Sequence, residues 1–181
     1  MQLTWQEVLE ELQQARNSRI EYWLNEIVFT LNWWILLVVT VVLLIVWLII
    51  LDKTRIFEIV TYGLMVSAIG TLGDTLGLSL LLWEYPTHLL HTSEIIEIHN
   101  VLMPILYMIV YQYFNTWKSF LIATAINASA FAFILEPLLV WLGIYELYSW
   151  KYIYSVVPYF LISAGLKWII NKLKQLDHNY Q

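Results

Sequence analysis

The sequence predicts an all-α integral membrane protein, a five-helix transmembrane bundle preceded by an amphipathic interfacial helix. The stretch from Ile27 to Leu51 runs for about 25 residues without a charged side chain, and an α-helix needs only about 20 apolar residues to cross a bilayer core. Composition agrees, because 60% of the residues are apolar and 13% are charged, about half the charged share of a soluble domain. Backbone groups in hydrocarbon must be bonded within their own segment, so these stretches are expected to be helices.

Charge and cysteine content exclude some classes of function. Nine Lys and Arg residues stand against 14 Asp and Glu residues, and the basic residues do not form the clustered surface that phosphate backbones require. We therefore expect no nucleic acid partner. The chain has no Cys, which excludes disulfide and thiolate chemistry. The polar first 20 or so residues are unlike a signal peptide, so no cleaved leader is expected.

Residues 1–26 are predicted to form the N-terminal amphipathic helix. Apolar residues recur there at roughly helical spacing between charged ones, which is typical of a helix lying on a membrane surface. The apolar positions are Leu3, Val8, Leu12, Ile20, Trp23 and Leu24. A solvated leader is the alternative interpretation.

Residues 27–177 are predicted to form the transmembrane bundle. Five apolar stretches are each long enough to span with some tilt, at about 28–51, 56–82, 96–114, 120–142 and 152–171. The third stretch begins with polar residues and contains Pro104, so a re-entrant or buried segment is the alternative there. The connections 83–95 and 143–151 are rich in Trp and Tyr, which favour the headgroup region.

The distribution of basic residues predicts an orientation. With five crossings, one side of the membrane carries Lys53, Arg55, Lys118, Lys167, Lys172 and Lys174, and the other carries Arg16, Arg19 and Lys151. The positive-inside rule then places the C-terminus in the cytoplasm and the N-terminus outside.

Small residues on the second span indicate a helix-packing face, because they allow helix backbones to approach closely in lipid. The residues are Gly63, Ser67, Gly70, Gly73 and Gly77. Asp74 shares this face by helical spacing, so its carboxylate is expected to point into protein. The fourth span carries a similar stripe that ends at Glu136.

A candidate intramembrane polar site follows from depth. A helix rises about 1.5 Å per residue, which puts Asp74, His99 and Glu136 all about 27–28 Å from the basic turns that flank their spans. The predicted site, just inside the outer interface, comprises Asp74, His99, Asn100 and Glu136. The carboxylates are either hydrated groups near the headgroups or a functional site, since acids within membranes are often functional.

At the cytoplasmic level, Glu58 and Lys167 are predicted to form a structural ion pair. Glu58 begins the second span, where the helix dipole favours negative charge, and Lys167 lies near the end of the fifth span.

The outer connection contains His88-x-x-His91-x-x-Glu94-x-x-Glu97. A His pair with this spacing is a weak zinc signal without a third fixed ligand, so no metal site is predicted. The sequence has no Walker A loop, HExxH motif, nucleophile elbow or dinucleotide fingerprint. No catalytic residues and no cofactor are therefore predicted.

Several short motifs in combination resemble an uncharacterised family of small multi-pass membrane proteins of endospore-forming Firmicutes. They cover most of residues 33–172. The motifs are Asp52-Lys53-x-Arg55-x-x-Glu58-Ile59, Tyr62-Gly63, Asp74-x-x-Gly77, Trp83-Glu84-Tyr85-Pro86, Tyr111-Gln112-Tyr113-Phe114-x-x-Trp117-Lys118-x-Phe120, Phe131-x-Phe133-x-x-Glu136-Pro137 and Trp150-Lys151-x-Ile153-Tyr154-Ser155. The resemblance implies a bacterial cytoplasmic membrane or spore membrane and no assigned activity. The chain departs from the family around 88–99, where a Pro-rich loop without these histidines is expected.

The sequence favours the first of three functions, and the other two remain open as alternatives. The first is a non-catalytic structural or accessory component, whose partners are the lipid bilayer and either other membrane proteins or a homo-oligomer. The second is a small proton- or cation-linked transport protein using Asp74 and Glu136. The third is a membrane enzyme acting on a lipid or isoprenoid, with the same carboxylates as acid and base.

Overall fold

A computed structural model describes residues 4–91 and 95–178. It is an all-α protein, and within the described residues four helices are long and apolar enough to cross a membrane. Their ranges are Leu31–Ile50, Lys53–Ser79, Trp117–Trp141 and Tyr152–Leu176. The prediction of an all-α membrane protein is confirmed at this level.

Helix α1 covers Trp5–Tyr22 and continues as a π-helical turn, Trp23–Ile27. It begins with a capping box between Thr4 and Glu7, in which each residue bonds the other's backbone N–H group. No side chain of α1 is buried. Its C-terminal end is fixed to the connection after the second predicted span, because Arg19 forms a 3.0 Å ion pair with Glu84.

Helix α2 covers Leu31–Ile50 and lies at the outside of the bundle. Thr30 caps its N-terminus by accepting a bond from Trp33 N. Leu36 is the buried residue of this helix, and Leu43 and Trp47 pack against the main core, whereas many of its other apolar side chains are exposed. Two hydrogen bonds fix its ends, from Asn32 Nδ2 to Leu142 O at 2.6 Å and from Gln112 Nε2 to Ile50 O at 2.8 Å.

Helix α3, Ile56–Ser79, follows a short 3₁₀ turn, Lys53–Arg55, that the Asp52 side chain caps. It ends three residues before the predicted limit of 82. Its main partner is helix α4, Met103–Tyr113, which follows a π-helical turn, Ile98–Leu102. The third predicted span, 96–114, is thus helical but shorter than the four long helices.

Burial distinguishes α4 from the other helices. Seven of its eleven residues are buried, namely Met103, Pro104, Ile105, Tyr107, Met108, Tyr111 and Gln112. The main hydrophobic core forms around this helix, where Tyr62 and Val66 of α3 meet Tyr107 and Tyr111. Helix α4 therefore occupies the centre of the bundle.

The fourth predicted span is one continuous helical segment made of α5, Trp117–Ala130, a π-helical turn, Phe131–Leu135, and α6, Glu136–Trp141. The wide turn precedes Pro137, whose missing N–H group cannot bond the preceding turn. Helix α7, Tyr152–His178, extends beyond the predicted limit of 171 and contains Pro158.

Two strands at one end of the bundle were not predicted. Strand β1, Trp83–Glu84, pairs antiparallel with strand β2, Glu146–Leu147. The register places Trp83 opposite Leu147 and Glu84 opposite Glu146. The two aromatic-rich connections are thereby joined into one cap over the ends of α3 and α6.

Candidate functional site

Asp74 lies near the C-terminal end of α3, under the cap, with 3% of the residue exposed. Its Oδ1 atom accepts two hydrogen bonds, from Trp83 Nε1 at 2.9 Å and from the Tyr85 hydroxyl at 2.7 Å. Both donors come from the segment that turns back after α3. Gly77 makes this return possible, because a Cβ atom there would overlap the Trp83 ring.

His99 approaches the other oxygen of the same carboxylate. Its Nδ1 atom lies 3.6 Å from Asp74 Oδ2, within the π-helical turn that leads into α4. The imidazole also stands edge-on to the Tyr85 ring, with 6.1 Å between the ring centres. A carboxylate, an imidazole and a phenol hydroxyl therefore share one buried site.

Glu136 begins α6 and is 5% exposed. Its Oε1 atom accepts a 2.8 Å hydrogen bond from the Tyr159 hydroxyl of α7. Its Oε2 atom is buried, and among the described residues none bonds it with ordinary geometry. The Ser155 hydroxyl is within reach of this carboxyl group and itself accepts a 2.8 Å bond from Trp150 Nε1.

The two carboxylates line adjoining cavities. Asp74 lines a cavity of about 220 Å³, and Glu136 lines one of about 60 Å³. The cavities share five lining residues, Tyr85, His99, Met103, Tyr145 and Tyr159. Within the described part of the chain, neither lining contains Lys or Arg. The acids therefore have neutral donors and one imidazole as their polar surroundings.

Aromatic rings form most of the roof of the larger cavity. Tyr85 and Tyr145 are stacked, with ring centres 5.1 Å apart and planes at 21°. Trp83 and Trp150 meet edge to face at 5.2 Å. Burial, followed by the Asp74 charge, raises the pKa of Tyr85 well above its usual value. The Tyr85 hydroxyl consequently keeps its proton and remains a donor to Asp74.

The structure brings together three of the four residues predicted for the polar site. Asp74, His99 and Glu136 lie around the two cavities. Asn100 does not line either cavity and accepts a bond from the Ser67 hydroxyl of α3 instead. The sequence did not predict five other residues that line these cavities, namely Trp83, Tyr85, Tyr145, Ser155 and Tyr159. The aromatic-rich connections were the one sequence signal for some of these residues.

The small residues on the predicted packing face of α3 contact different neighbours. Gly63 accommodates Met108 of α4, and Gly70 lies against His99 and Met103. Gly77 accommodates a loop residue instead of a helix, whereas Gly73 has nothing within 4 Å of an added Cβ. The predicted packing role is therefore wrong for Gly73, which borders the larger cavity. The cause is the cavity, which leaves open space beside Gly73 where a packed helix was expected.

The predicted Glu58–Lys167 ion pair is also wrong. Glu58 pairs with Arg55 at 3.0 Å and with Lys174 at 2.9 Å, and Tyr111 donates to it at 2.5 Å. Lys167 instead donates to the carbonyl oxygens of residues 114 and 115. The continuation of α7 past residue 171 explains the difference, because it brings Lys174 to Glu58.

The outer histidines, His88 and His91, lie near one another. The ring centres of His88 and His91 are 6.3 Å apart, and Glu94 lies outside the described residues. Glu97 accepts a 2.6 Å hydrogen bond from Leu89 N, so its carboxylate is bonded to the backbone of the same connection. In the ranges 4–91 and 95–178, no three His, Cys, Asp or Glu side chains are arranged to hold a metal ion.

No protein-family model, curated protein or solved structure matches this chain. The geometry of the Asp74 and Glu136 cavities is therefore the basis for a functional proposal.

Proposed function

We propose that this chain is a small cation-linked transport protein that takes up an organic cation at Asp74 in exchange for protons. One observation carries the proposal: two buried carboxylates line adjoining aromatic cavities whose described linings contain no Lys or Arg. This is the second of the three functions that the sequence left open.

The electrostatics of the cavities favour uptake of positive charge. Moving an ionised carboxylate out of water is costly unless it is paired, hydrogen-bonded or protonated. The neutral donors Trp83 and Tyr85 bond one oxygen of Asp74, and His99 is 3.6 Å from the other. Complete neutralisation of both acids therefore requires protons or a cationic ligand.

The aromatic lining favours an organic cation over a hydrated metal ion. The faces of Trp and Tyr rings attract alkylammonium groups, by about 2 kcal/mol or more where the cation is desolvated. Five such residues line the Asp74 cavity together, namely Trp83, Tyr85, Tyr145, Trp150 and Tyr159. The cavity volume of about 220 Å³ suits a small protonated or quaternary amine.

Glu136 is suited to hold a proton. It lines the smaller cavity, about 60 Å³ in volume, which leaves room for little more than water. Tyr159 lines both cavities and bonds Glu136 at 2.8 Å. The two cavities share a wall formed by Tyr159, Tyr145 and His99. We therefore expect a change of charge at Asp74 to alter the electrostatic energy of a charge on Glu136.

The other two functions fit the cavities less well. An enzyme with both carboxylates as acid and base needs them to reach one substrate, whereas Asp74 and Glu136 line different cavities. A purely structural component does not require Asp74 and Glu136, because a buried carboxylate beside a cavity costs free energy of folding and adds no packing contact on that side.

The membrane placement is part of the same proposal. Turns at residues 52–55 and 114–116 meet the end of α7, since Arg55 bonds Asn115 at 2.9 Å and Lys174 bonds Glu58. The other connections meet at the β1–β2 cap. Five segments each connect these two ends, which supports five crossings. They are helix α2, helix α3, residues 95–113, the α5–α6 segment and helix α7.

Orientation follows from the same two ends. The end with Arg55, Lys167 and Lys174 is proposed to face the cytoplasm of a bacterium, and the cap and the Asp74 cavity to lie at the outer face. Helix α1 is proposed to lie on the outer membrane interface, held by its Arg19–Glu84 pair. The family resemblance adds the cytoplasmic or spore membrane of an endospore former.

Proton release on ligand binding tests the proposal. Purified protein in a weakly buffered detergent solution is titrated with tetramethylammonium while a pH dye reports released protons. Wild-type protein is expected to release protons in a saturable manner, and Asp74→Asn to abolish the release. Glu146→Gln is the matched control, since this carboxylate is exposed on β2 at the same end.

Transport is tested with the same ligand in liposomes. An outward tetramethylammonium gradient is expected to drive proton movement in the opposite direction in wild-type vesicles, and Glu136→Gln to stop it. Absence of saturable proton release from the wild type, or equal release from Asp74→Asn, would overturn the proposal and leave the structural role.

A further inference from the structure

A second polar cavity lies at the opposite end of the bundle from the Asp74 site. It has a volume of about 380 Å³ and is bordered by the three basic residues Arg55, Lys167 and Lys174. Glu58 is the carboxylate in its lining, and Asn171 contributes an amide. The cavity opens beside the turns at residues 52–55 and 114–116, where a membrane helix meets lipid headgroups.

The charges around this cavity do not cancel. Glu58 is bonded by Arg55 at 3.0 Å and by Lys174 at 2.9 Å, so one carboxylate serves two cations. Lys167 adds a third positive charge to the same lining. The described lining therefore has an excess of two positive charges.

Lys167 is held in place although its described hydrogen-bond partners are uncharged. The residue is 4% exposed, and its Nζ atom donates to Phe114 O at 2.8 Å and to Asn115 O at 3.2 Å. The same atom stands 3.9 Å from the centre of the Phe120 ring. These contacts hold the positive charge of Lys167 at the wall of the cavity.

We propose that this cavity binds a phosphate group. A guanidinium group and two ammonium groups around one space are the donors that phosphate oxygens accept from most strongly. Basic pockets between transmembrane helices at the cytoplasmic side are typical sites for anionic lipid headgroups. The phosphate belongs either to such a lipid or to a small soluble molecule, and the two sources share this recognition chemistry.

The site is independent of the organic-cation site, because the two lie at opposite ends of the bundle and share no lining residue. Failure of the transport proposal therefore leaves the phosphate site intact, whereas its position among lipid headgroups rests on the proposed membrane placement.

Ligand-dependent thermal stability of the full chain tests the phosphate site. Protein in a neutral sugar detergent is titrated with dihexanoyl phosphatidylglycerol, with inorganic phosphate and with a diglucosyl glycolipid that lacks phosphate. A saturable rise in melting temperature is expected with a phosphate ligand and not with the glycolipid. Response to the lipid alone identifies a headgroup site, and response to inorganic phosphate identifies a site for soluble phosphates.

Variants on α7 provide a matched comparison. Lys174→Gln removes a charge from the cavity lining, and Lys172→Gln removes one from the same helix outside that lining. A Lys near an anionic membrane surface contributes about 1 kcal/mol, and by this measure Lys174→Gln is expected to raise the half-saturating concentration about fivefold. Lys172→Gln should leave it unchanged.

Glu58→Gln separates binding from simple structural damage. Loss of the competing carboxylate should lower the half-saturating phosphate concentration, even if the variant melts at a lower temperature without ligand. Equal half-saturation in Lys174→Gln and Lys172→Gln, or an equal response to the phosphate-free glycolipid, would overturn the proposal.

Discussion

His99 Nδ1 lies 3.6 Å from Asp74 Oδ2, which joins the π-helical entry of α4 to the end of α3. On the other oxygen of the same carboxylate, two aromatic donors from the cap are bonded. Asp74 is thus the point at which a helix, a helical turn and a loop meet. Changes to the cap are therefore expected to reach the site, and the site to influence the stability of the cap.

Gly77→Ala should destabilise the protein. An added methyl group would overlap the Trp83 ring, which is bonded to Asp74 and has little freedom to move. Overpacking of this kind costs about 1–3 kcal/mol. The measurement is the free energy of unfolding in mixed detergent and dodecyl sulfate.

Gly73→Ala is the control for that variant, one helical turn earlier on α3. An added Cβ has nothing within 4 Å, and Ala is favoured over Gly in a helix by about 0.5–1 kcal/mol. Its unfolding free energy should be unchanged or slightly higher. Equal losses in the two variants would contradict the placement of Trp83.

Tyr159→Phe should also lower the unfolding free energy. The change removes the 2.8 Å bond to Glu136 Oε1 and leaves a buried carboxylate oxygen without its donor, which costs about 1–3 kcal/mol. Tyr154→Phe on the same helix is the control, because Tyr154 is exposed, and a surface change of this kind stays within about 0.5 kcal/mol. Similar values for the two variants would show that Tyr159 does not bond Glu136.

His88 predicts a loss of stability on acidification. Partial burial lowers its pKa from the ordinary value of 6.5, so the unfolded chain binds more protons than the folded one just below that pH. This contribution is fully present above about pH 6.5 and is lost as the pH falls through the lowered folded pKa.

Thermal melts between about pH 5 and pH 8 will measure this effect, since that range includes the unfolded pKa of His. In His88→Gln the decline in melting temperature at the acid end should be smaller than in the wild type. Parallel curves for the two proteins would mean that His88 is not responsible.

The β1–β2 pairing is testable by disulfide formation, because the chain has no native Cys. Glu84 and Glu146 are directly opposite in the register, and opposed residues in an antiparallel pair have Cβ atoms about 4.5–5.5 Å apart. The double variant Glu84→Cys, Glu146→Cys should form an intramolecular disulfide under mild oxidation. The pair Glu84→Cys, Thr54→Cys should not, and mobility in non-reducing gels distinguishes them.

The orientation is testable by single Cys substitutions in the same chain. Tyr148→Cys lies on the cap and should react with an impermeant maleimide added to intact protoplasts. Thr54→Cys and Lys118→Cys lie at the basic end and should react only after permeabilisation. Labelling of Thr54→Cys from outside would reverse the proposed orientation.

The sequence by itself determined the properties that depend on local pattern. Hydropathy and segment length identified the four long helices, because an uncharged apolar run of about 20 residues is long enough to span a bilayer and can be read directly from the chain. The rise per residue placed Asp74, His99 and Glu136 at one level, and small-residue spacing identified the face on which Gly63 and Gly70 pack. These quantities need no knowledge of the neighbouring elements.

The tertiary structure alone decided which groups bond each other. The cap supplies Trp83 and Tyr85 to Asp74 because two connections about 60 residues apart pair as strands, and such pairing is not encoded in either connection alone. Asn100 lies outside the site because it directly follows His99 in a helical turn, and successive residues of a helix point in different directions. Lys174, and not Lys167, pairs with Glu58 because α7 continues past its apolar stretch. Hydropathy does not define where such a helix ends.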